Sequence, residues 1–487
     1  VRETVNFQMV VLWSDICVAL LLAGLIGLAV FSARRPLLRA AWGRVGASRP
    51  GMAAATILVF FALVGLLDSL HYRPRLENAG DGKAVYSVEV LSALDALASP
   101  LRERVEKTYS APFAAHSYSR ESIEIEDADG QKRQGRDFPR LTYGGAHLQT
   151  DADGKLSGRA ADIAARVLLA FAAAAGVWVM AASAVVYALA RRQARTLESP
   201  EIPWRQTLRE IGQGKTVFAW NSVLAAFGVL LLVLMPLFFL CADYHVFGTD
   251  KVGTDVFYQV LKSIRTALVI GLVATLVTMP LALILGLLAG YFRGWIDDLV
   301  QYLYTTLNSI PGVLLIAASI MMMQVVIDTH PHWFSTAAER ADLRLLALCF
   351  ILGLTSWTSL CRLLRGETLK LRELEYIQAA QAFGVPSWRI MARHLAPNLM
   401  HIIVITLAMD FSSLVLAEAV LSYIGIGVDP LMISFGTMID NARMELSRDP
   451  AVWWSLSAAF AFMLALVLSA NLLADAVRDA FDPRLVR

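Results

Sequence analysis

Few residues in this chain combine the type and the spacing that chemistry needs. The stretch IGQGKT, Ile211 to Thr216, invites comparison with a phosphate-binding loop. That loop needs a further glycine five residues before the glycine of the Gly-Lys pair, so that backbone N–H groups can cup the phosphates. Arg209 holds that position, and Lys215 reads instead as a charge ahead of an apolar run. The turns EDADG and TDADG look like calcium loops. With Asp127, Asp129 and Gly130 placed as inner ligands and turn, the first and last ligand positions fall on Ile125 and Arg136; the second copy puts Gln149 and Ala160 there. Both are read as turns. His330 and His332 flank Pro331 in a polar loop, and Cys17, Cys241, Cys349 and Cys361 sit in or beside apolar runs without paired spacing. These read as a solvated loop and as small hydrophobic side chains. No HExxH, GxSxG or His/Cys metal pattern occurs. Two carboxyl groups remain, Asp410 and Glu418, both in or near an apolar run. An ionisable group at membrane depth is costly and is a functional hypothesis by default. The two are candidate pore or gate acids; the alternative is a hydrogen bond buried between helices.

The surrounding composition makes membrane depth the right frame. Of 487 residues, 57% are hydrophobic and only 17% are charged, against about 25% charged in a soluble domain. The net charge of +2 carries no nucleic-acid signal. A spanning helix needs about 20 mostly apolar residues. Nine runs qualify: 10–31, 51–70, 161–190, 216–242, 263–290, 298–327, 343–361, 399–421 and 452–474. Pro280 lies inside one of them, and Pro311 is read as starting a span. Neither a basic stretch before the first run nor a small-residue cleavage site is present, so no signal peptide is expected. Loops 32–50, 191–215 and 362–398 are rich in Arg and Lys, which places them in the cytoplasm. Loops 328–342 and 422–451 carry more acids than bases and belong outside. The alternation then puts the N-terminus outside and the C-terminus in the cytoplasm. Segment 71–160 lies outside, and SIEIEDADGQKRQG within it predicts a hairpin. Counting from residue 399 at about 1.5 Å per residue, Asp410 falls near mid-bilayer and Glu418 near the outer edge, about 80° apart around the helix.

One polar stretch stands out: EYIQAAQAFGVPSWRIMARHLAPN, Glu375 to Asn398. A helix is expected from Leu371 to Phe383, ended by Gly384 in the left-handed conformation and stopped by Pro386. Ser387 can cap a second helix, Trp388 to Leu395. The pattern is like a helix-turn-helix core, and an amphipathic loop on the bilayer is a blander reading. Short tethers to spans on both sides, and the lack of a dense basic face, argue against DNA.

In this context the stretch resembles the cytoplasmic signature of permease subunits in binding-protein-dependent ABC importers: Glu-Ala-Ala, three residues, Gly, nine residues, Ile-x-Leu-Pro. Gln378, Ala379, Ala380 and Gly384 fill the first part, and His394, Ala396 and Pro397 the last. Gln378, His394 and Ala396 depart from the pattern, and Glu375 lies one turn before the missing acid. HVFGTDKVGTDVF (with Thr254 where Arg is usual), LAGYFRGWIDDLV, IPGVLLIA, LAEAVLSYIGIGVDP and LLADAVRDAFDPR extend the resemblance over roughly 240–487, to the second, C-type permease of the dipeptide, oligopeptide and nickel branch.

The apolar runs, with the resemblance, lead to an expected all-α polytopic membrane protein of about nine spanning helices, whose N-terminal 200 residues are not part of the family's usual pattern. A six-helix permease core at 216–487, with coupling loop 362–398, would follow two spans in 1–70, a small extracytoplasmic α/β insertion at 71–160, and a third extra span with its linker at 161–215. The resemblance implies a transporter subunit and not an enzyme, without a cofactor of its own. ATP and Mg would be bound by two partner ATPase subunits. A second permease would complete a heterodimeric pore, and an extracytoplasmic binding protein would deliver cargo in the bacterial inner membrane, among lipid. The implied coupling residues are Glu375, Gln378, Ala379, Ala380, Gly384 and Pro397. Peptides are the expected cargo; nickel, a peptide-like antibiotic, or a membrane sensor built on a permease core are the alternatives.

Overall fold

The computed structural model describes residues 7–75, 86–126, 132–148, 158–196, 203–334 and 336–481. The EDADG loop beyond Glu126 and the TDADG turn lie outside the described residues.

The first half interleaves helices with short strands. In order come β1 (Phe7–Val10), α1 (Trp13–Arg34), α2 (Pro36–Ala47), α3 (Arg49–Asp68), β2 (His71–Pro74), β3 (Leu91–Ser92), α4 (Ala93–Leu97), α5 (Ser99–Glu103), β4 (Glu121–Glu126), β5 (Lys132–Asp137), α6 (Arg159–Thr196) and α7 (Trp204–Gln213). The second half is helical: α8 (Trp220–Leu240), α9 (Val256–Phe292), α10 (Trp295–Ser309), α11 (Gly312–Thr329), α12 (Ala337–Arg372), α13 (Glu375–Ala382), α14 (Ser387–Ile390), α15 (Ala396–Tyr423), α16 (Phe435–Glu445) and α17 (Trp454–Phe481). Among the described residues nine helices are long and apolar enough to cross a membrane, and each overlaps one of the nine apolar runs. The expected hairpin is β4 paired antiparallel with β5, Glu121 opposite Asp137. β1, β2 and β3 form a second small antiparallel sheet.

The run 298–327 is not one span. Ile310 is extended and Pro311 caps α11, so the helix is interrupted there. Proline has no N–H to continue α10, and it disfavours helical geometry in the residue before it. Amphipathic α10 therefore lies ahead of an 18-residue crossing, α11.

α9 and α12 organise the second half. They are 37 and 36 residues long, or about 55 Å each, against a hydrocarbon core of about 30 Å. Both must emerge from the membrane. They pack closely because glycines sit at the contact. A Cβ on Gly353 would lie 2.6 Å from Val277 and 2.7 Å from the Ala274 carbonyl, and one on Gly290 would lie 2.5 Å from Thr368. Small residues at helix crossings are how membrane helices approach each other without a hydrophobic driving force.

The connecting segments separate into two ends. At one end β1 pairs with β2, Ser14 meets Asp342, Glu106 meets His245, and Tyr118 donates to the Ala451 carbonyl at 3.1 Å. At the other, Ala219 donates to the Gly46 carbonyl at 2.8 Å, Trp42 packs edge-on to Phe481, and Val404 packs with Val45 and Val477. This grouping matches the alternation read from loop charge.

Replacing Gly353 by Leu should push α12 off α9. The expected cost is about 1–3 kcal/mol, read as a lower unfolding midpoint in mixed-micelle denaturation. An unchanged midpoint would show that this contact is not tight.

Candidate functional site

The loop between α12 and α15 is fixed on one side and bare on the other. Ile377, Ile390, Leu395 and Leu399 are fully buried and pack with Leu287, Ala289, Tyr291, Leu360 and Leu364. Arg372 donates to the Tyr291 carbonyl at 2.7 Å and Gln381 reaches the Tyr291 hydroxyl at 3.3 Å. Arg293 pairs with Glu373. Arg365 pairs with Asp297 at 2.7 Å, and that hydrogen bond holds the Asp297 carboxyl below its usual range. The loop therefore rides on the ends of α9 and α12.

Its local structure corrects the expected single helix from Leu371 to Phe383. α12 ends at Arg372, Leu374 is extended, and α13 starts at Glu375. No proline or glycine forces this break. Arg372 and Glu373 are held by α9, while Ile377 must turn inward to fill the core, so packing overrides helix propensity. α13 ends as read: Gly384 has φ +75°, Gly384 N–H donates to the Gln381 carbonyl and Val385 N–H to the Ala380 carbonyl at 3.1 Å. This is the Schellman closure, and glycine carries the left-handed residue without steric cost. Ser387 does not cap the next helix. Extended Pro386 precedes it, and Ser387 is its first residue. Nor does that helix stop at Leu395; it continues into α15 through a π turn, Met391–Leu395. Pro397 explains the turn, because it has no N–H for the Arg393 carbonyl.

The named coupling residues divide between the two faces. Glu375, Gln378, Ala379, Gly384 and Pro397 are exposed. Gln378 bends back to the Glu373 carbonyl at 3.2 Å. Ala380 is half-buried and packs with Val385 against the core, so it also serves as part of the anchor. Residues missed in the sequence complete that face: Phe383 is 88% exposed and Trp388 64%, with Tyr376 and Leu374 also bare. Asn398 donates to the Tyr376 hydroxyl at 2.8 Å and so ties both arms of the loop. The available signal was two large aromatics flanking Gly384 and Pro386 with no apolar periodicity to bury them.

The two membrane acids part company. Glu418 is 2% exposed and accepts from Ser422 at 2.6 Å and Ser434 at 3.0 Å, which joins α15 to the start of α16. That is the buried hydrogen-bond arrangement; Glu418 does not face an open path within this chain. Asp410 is half-exposed beside exposed Met409, and its carboxylate has no hydrogen-bond partner among the described residues. IGQGKT closes α7 with Gly214 at φ +68° and does not open a helix. His330 stacks on Trp333 at 4.5 Å, and no group of three or more metal-binding side chains occurs among the described residues.

A seam of buried charge joins the first half to the second, and no motif announced it. His245 is 3% exposed, with Nδ1 2.7 Å from Asp255 and Nε2 3.4 Å from Glu106. Burial opposes the imidazolium, but hydrogen bonds to Asp255 and Glu106 lift the His245 pKa to about 9. Burial also opposes the Glu106 carboxylate; hydrogen bonds from His245 and from the Thr142, Tyr143 and Gly144 N–H groups hold it down at about 2. Gly253 takes φ +80° against the Glu106 backbone, where a Cβ would collide. Lys262 reaches Asp68 at 2.6 Å and Asp95 at 3.1 Å, and Arg265 reaches Asp15 at 2.8 Å.

Residues 282–487 match the family described as binding-protein-dependent transport system inner membrane component. The chain is 30% identical over 309 residues to the glutathione transport system permease protein GsiD of Pectobacterium atrosepticum, covering 59% of this chain and 93% of that protein. It is 32% identical over 239 residues to the oligopeptide transport system permease protein OppC of Mycobacterium tuberculosis, covering 49% and 76%. It is 28% identical over 243 residues to the dipeptide transport system permease protein DppC of Bacillus subtilis, covering 50% and 70%.

The seam has a pH signature. The raised His245 pKa contributes stability that is full below about 6.5 and lost as pH rises toward 9; the depressed Glu106 pKa contributes stability that is full above about 4.5 and lost as pH falls toward 2. Thermal stability of the purified protein should therefore plateau between these limits. His245→Gln should flatten the alkaline limb, and an alkaline limb identical to wild type would remove His245 from the account.

Proposed function

The chain belongs to the binding-protein-dependent transport system inner membrane component family, and from that premise we propose that it is the C-type permease of an ATP-driven importer of short peptides. Three relatives named for glutathione, oligopeptide and dipeptide transport support the cargo class. In this reading a second permease supplies the other half of the pore and a binding protein presents the peptide on the side of residues 71–160. Two ATPase subunits, holding ATP and Mg, dock from the opposite side. The N-terminus lies outside the bacterial inner membrane and the C-terminus in the cytoplasm.

The observation that carries the proposal is the two-faced loop. Its inner face is locked to α9 and α12, while Phe383, Trp388 and Tyr376 present aromatic surface at one end of the molecule. An aromatic patch on an anchored helix fits a partner cleft, since buried aromatics dominate interface energetics. Closure of the ATPase pair on ATP would move this loop, and α9 and α12 would carry the displacement across the membrane as a rigid body. ATP does this work by binding one state better than the other. Asp410, with its half-exposed carboxylate, is the proposed pore-lining acid.

Affinity purification of tagged protein in mild detergent tests the motor. An ATPase should copurify in stoichiometric amount. Ala379→Arg combined with Phe383→Asp changes only the exposed face and should cut its recovery about thirtyfold, the weight of one interface hot spot of about 2 kcal/mol. Equal recovery with the variant would dismiss this face as the docking site.

The pore assignment has its own readout. Asp410→Asn should lower ATP-driven peptide uptake by proteoliposomes while the ATPase still copurifies. Normal uptake would return Asp410 to a packing role.

A further inference from the structure

α1 and α3 are cut to the thickness of the bilayer. They hold 22 and 20 residues, or about 33 and 30 Å, against a hydrocarbon core of about 30 Å. Their strand-side ends lie at one level, because β1 precedes α1, β2 follows α3, and Val10 pairs with His71. Their opposite ends therefore reach a common depth, the headgroup layer of the other membrane face. α2 joins those two ends. Arg35 alone separates it from α1, and Ser48 alone separates it from α3. Its 12 residues, about 18 Å of helix, have no linker with which to leave that layer and so run along it. Trp42, 39% exposed on α2, suits such an interface.

The strip is cationic throughout. Arg34, Arg35, Arg39, Arg44 and Arg49 are all exposed, and no Asp or Glu stands between Asp15 and Asp68 in the sequence. None of the five guanidinium groups has an ion pair or hydrogen bond among the described residues. α2 is anchored from behind: Ala41 and Val45 are buried, and Val45 packs with Val477 and Ala480, which leaves Arg39 and Arg44 bare. A Cβ on Gly214 would lie 2.9 Å from an Arg49 nitrogen, so that guanidinium rests beside the residue preceding exposed Lys215. Glu210, the acid of α7, is already held by Gln193 at 2.6 Å and Gln206 at 3.0 Å. Like charges gathered without acids repel one another, and anions entering among them remove that cost.

We infer that α2, with the adjoining ends of α1 and α3, is a binding platform for the headgroups of anionic phospholipids. Depth selects the partner, because phosphates are the anions that surround arginines at headgroup height. Guanidinium donates paired N–H bonds to phosphate oxygens. A zwitterionic headgroup brings its own cation to the strip, so the gain falls to lipids of net negative charge. The inference does not depend on what the chain transports, since its test reads only the lipids that the protein retains.

Native mass spectrometry of the full-length protein, given equal amounts of phosphatidylglycerol and a phosphatidylcholine of the same chains, decides it. Wild type should retain the glycerol lipid at least about fivefold over the choline lipid. Arg39→Gln combined with Arg44→Gln should bring that ratio below about two, and leaves three arginines to hold the loop on its side of the membrane. Arg39→Lys combined with Arg44→Lys should keep most of the preference. Lys107→Gln combined with Lys251→Gln removes the same charge far from α2 and should leave the ratio as in wild type. A wild-type ratio near one, a preference that survives the glutamine pair at 39 and 44, or an equal loss in the pair at 107 and 251 overturns the platform.

Discussion

Everything in this structure that bears on function hangs on one packing contact, the close crossing of α9 and α12. Glycines at 353 and 290 let the backbones meet where any side chain would collide. Because each helix is far longer than the bilayer is thick, the same rigid pair emerges on both sides. At one end it carries the loop with Phe383 and Trp388; at the other it carries Lys262, Arg265 and Asp342 into the charged seam. A displacement imposed on the loop therefore has a stiff route to the far side, and no flexible linker intervenes between the loop and the helices that support it.

The seam gives the N-terminal segments a specific seat on that pair. His245, Lys262 and Arg265 come from the second half, and Glu106, Asp68, Asp95 and Asp15 come from the first. Buried pairs of this kind contribute little net stability, since desolvation offsets most of the attraction. Losing one partner is costly, however, because a charge is then left buried alone. The physical consequence is register: the first half fits the end of α9 that carries Lys262 and Arg265 in one way. The relatives are matched over only half to three-fifths of this chain, so a large part of the chain lies outside the shared region. The seam ties the first-half segments to the start of α9 and the loop before it.

Much of this was legible in the sequence, and the reasons differ by element. Apolar run length overlapped each of the nine candidate crossings among the described residues, though it merged α10 with α11, because a membrane leaves so few ways to satisfy the backbone. Gly384 was readable because a left-handed helix end is a local demand of the chain. The break before Glu375 was not, since it is made by Arg372 and Glu373 gripping α9, contacts about 80 residues away in sequence. The same holds for Ala380, whose contact with the core depends on where Ile377 is buried. Depth alone left Glu418 open between a gate acid and a buried hydrogen bond; its serine partners, one of them on the approach to α16, were invisible until that segment was placed. The π turn was implicit in Pro397, but only once a continuous helix from Ser387 was known.

The central claim is that this chain moves cargo and does not merely report on it. The most direct measurement is peptide accumulation in sealed vesicles holding the copurified complex, with its binding protein on one side and ATP on the other. The account predicts accumulation of a labelled short peptide against its gradient, dependent on ATP hydrolysis and on the binding protein. A complex that hydrolyses ATP in response to the loaded binding protein, yet moves neither a peptide nor any other cargo, would contradict it and leave a signalling role for the permease core.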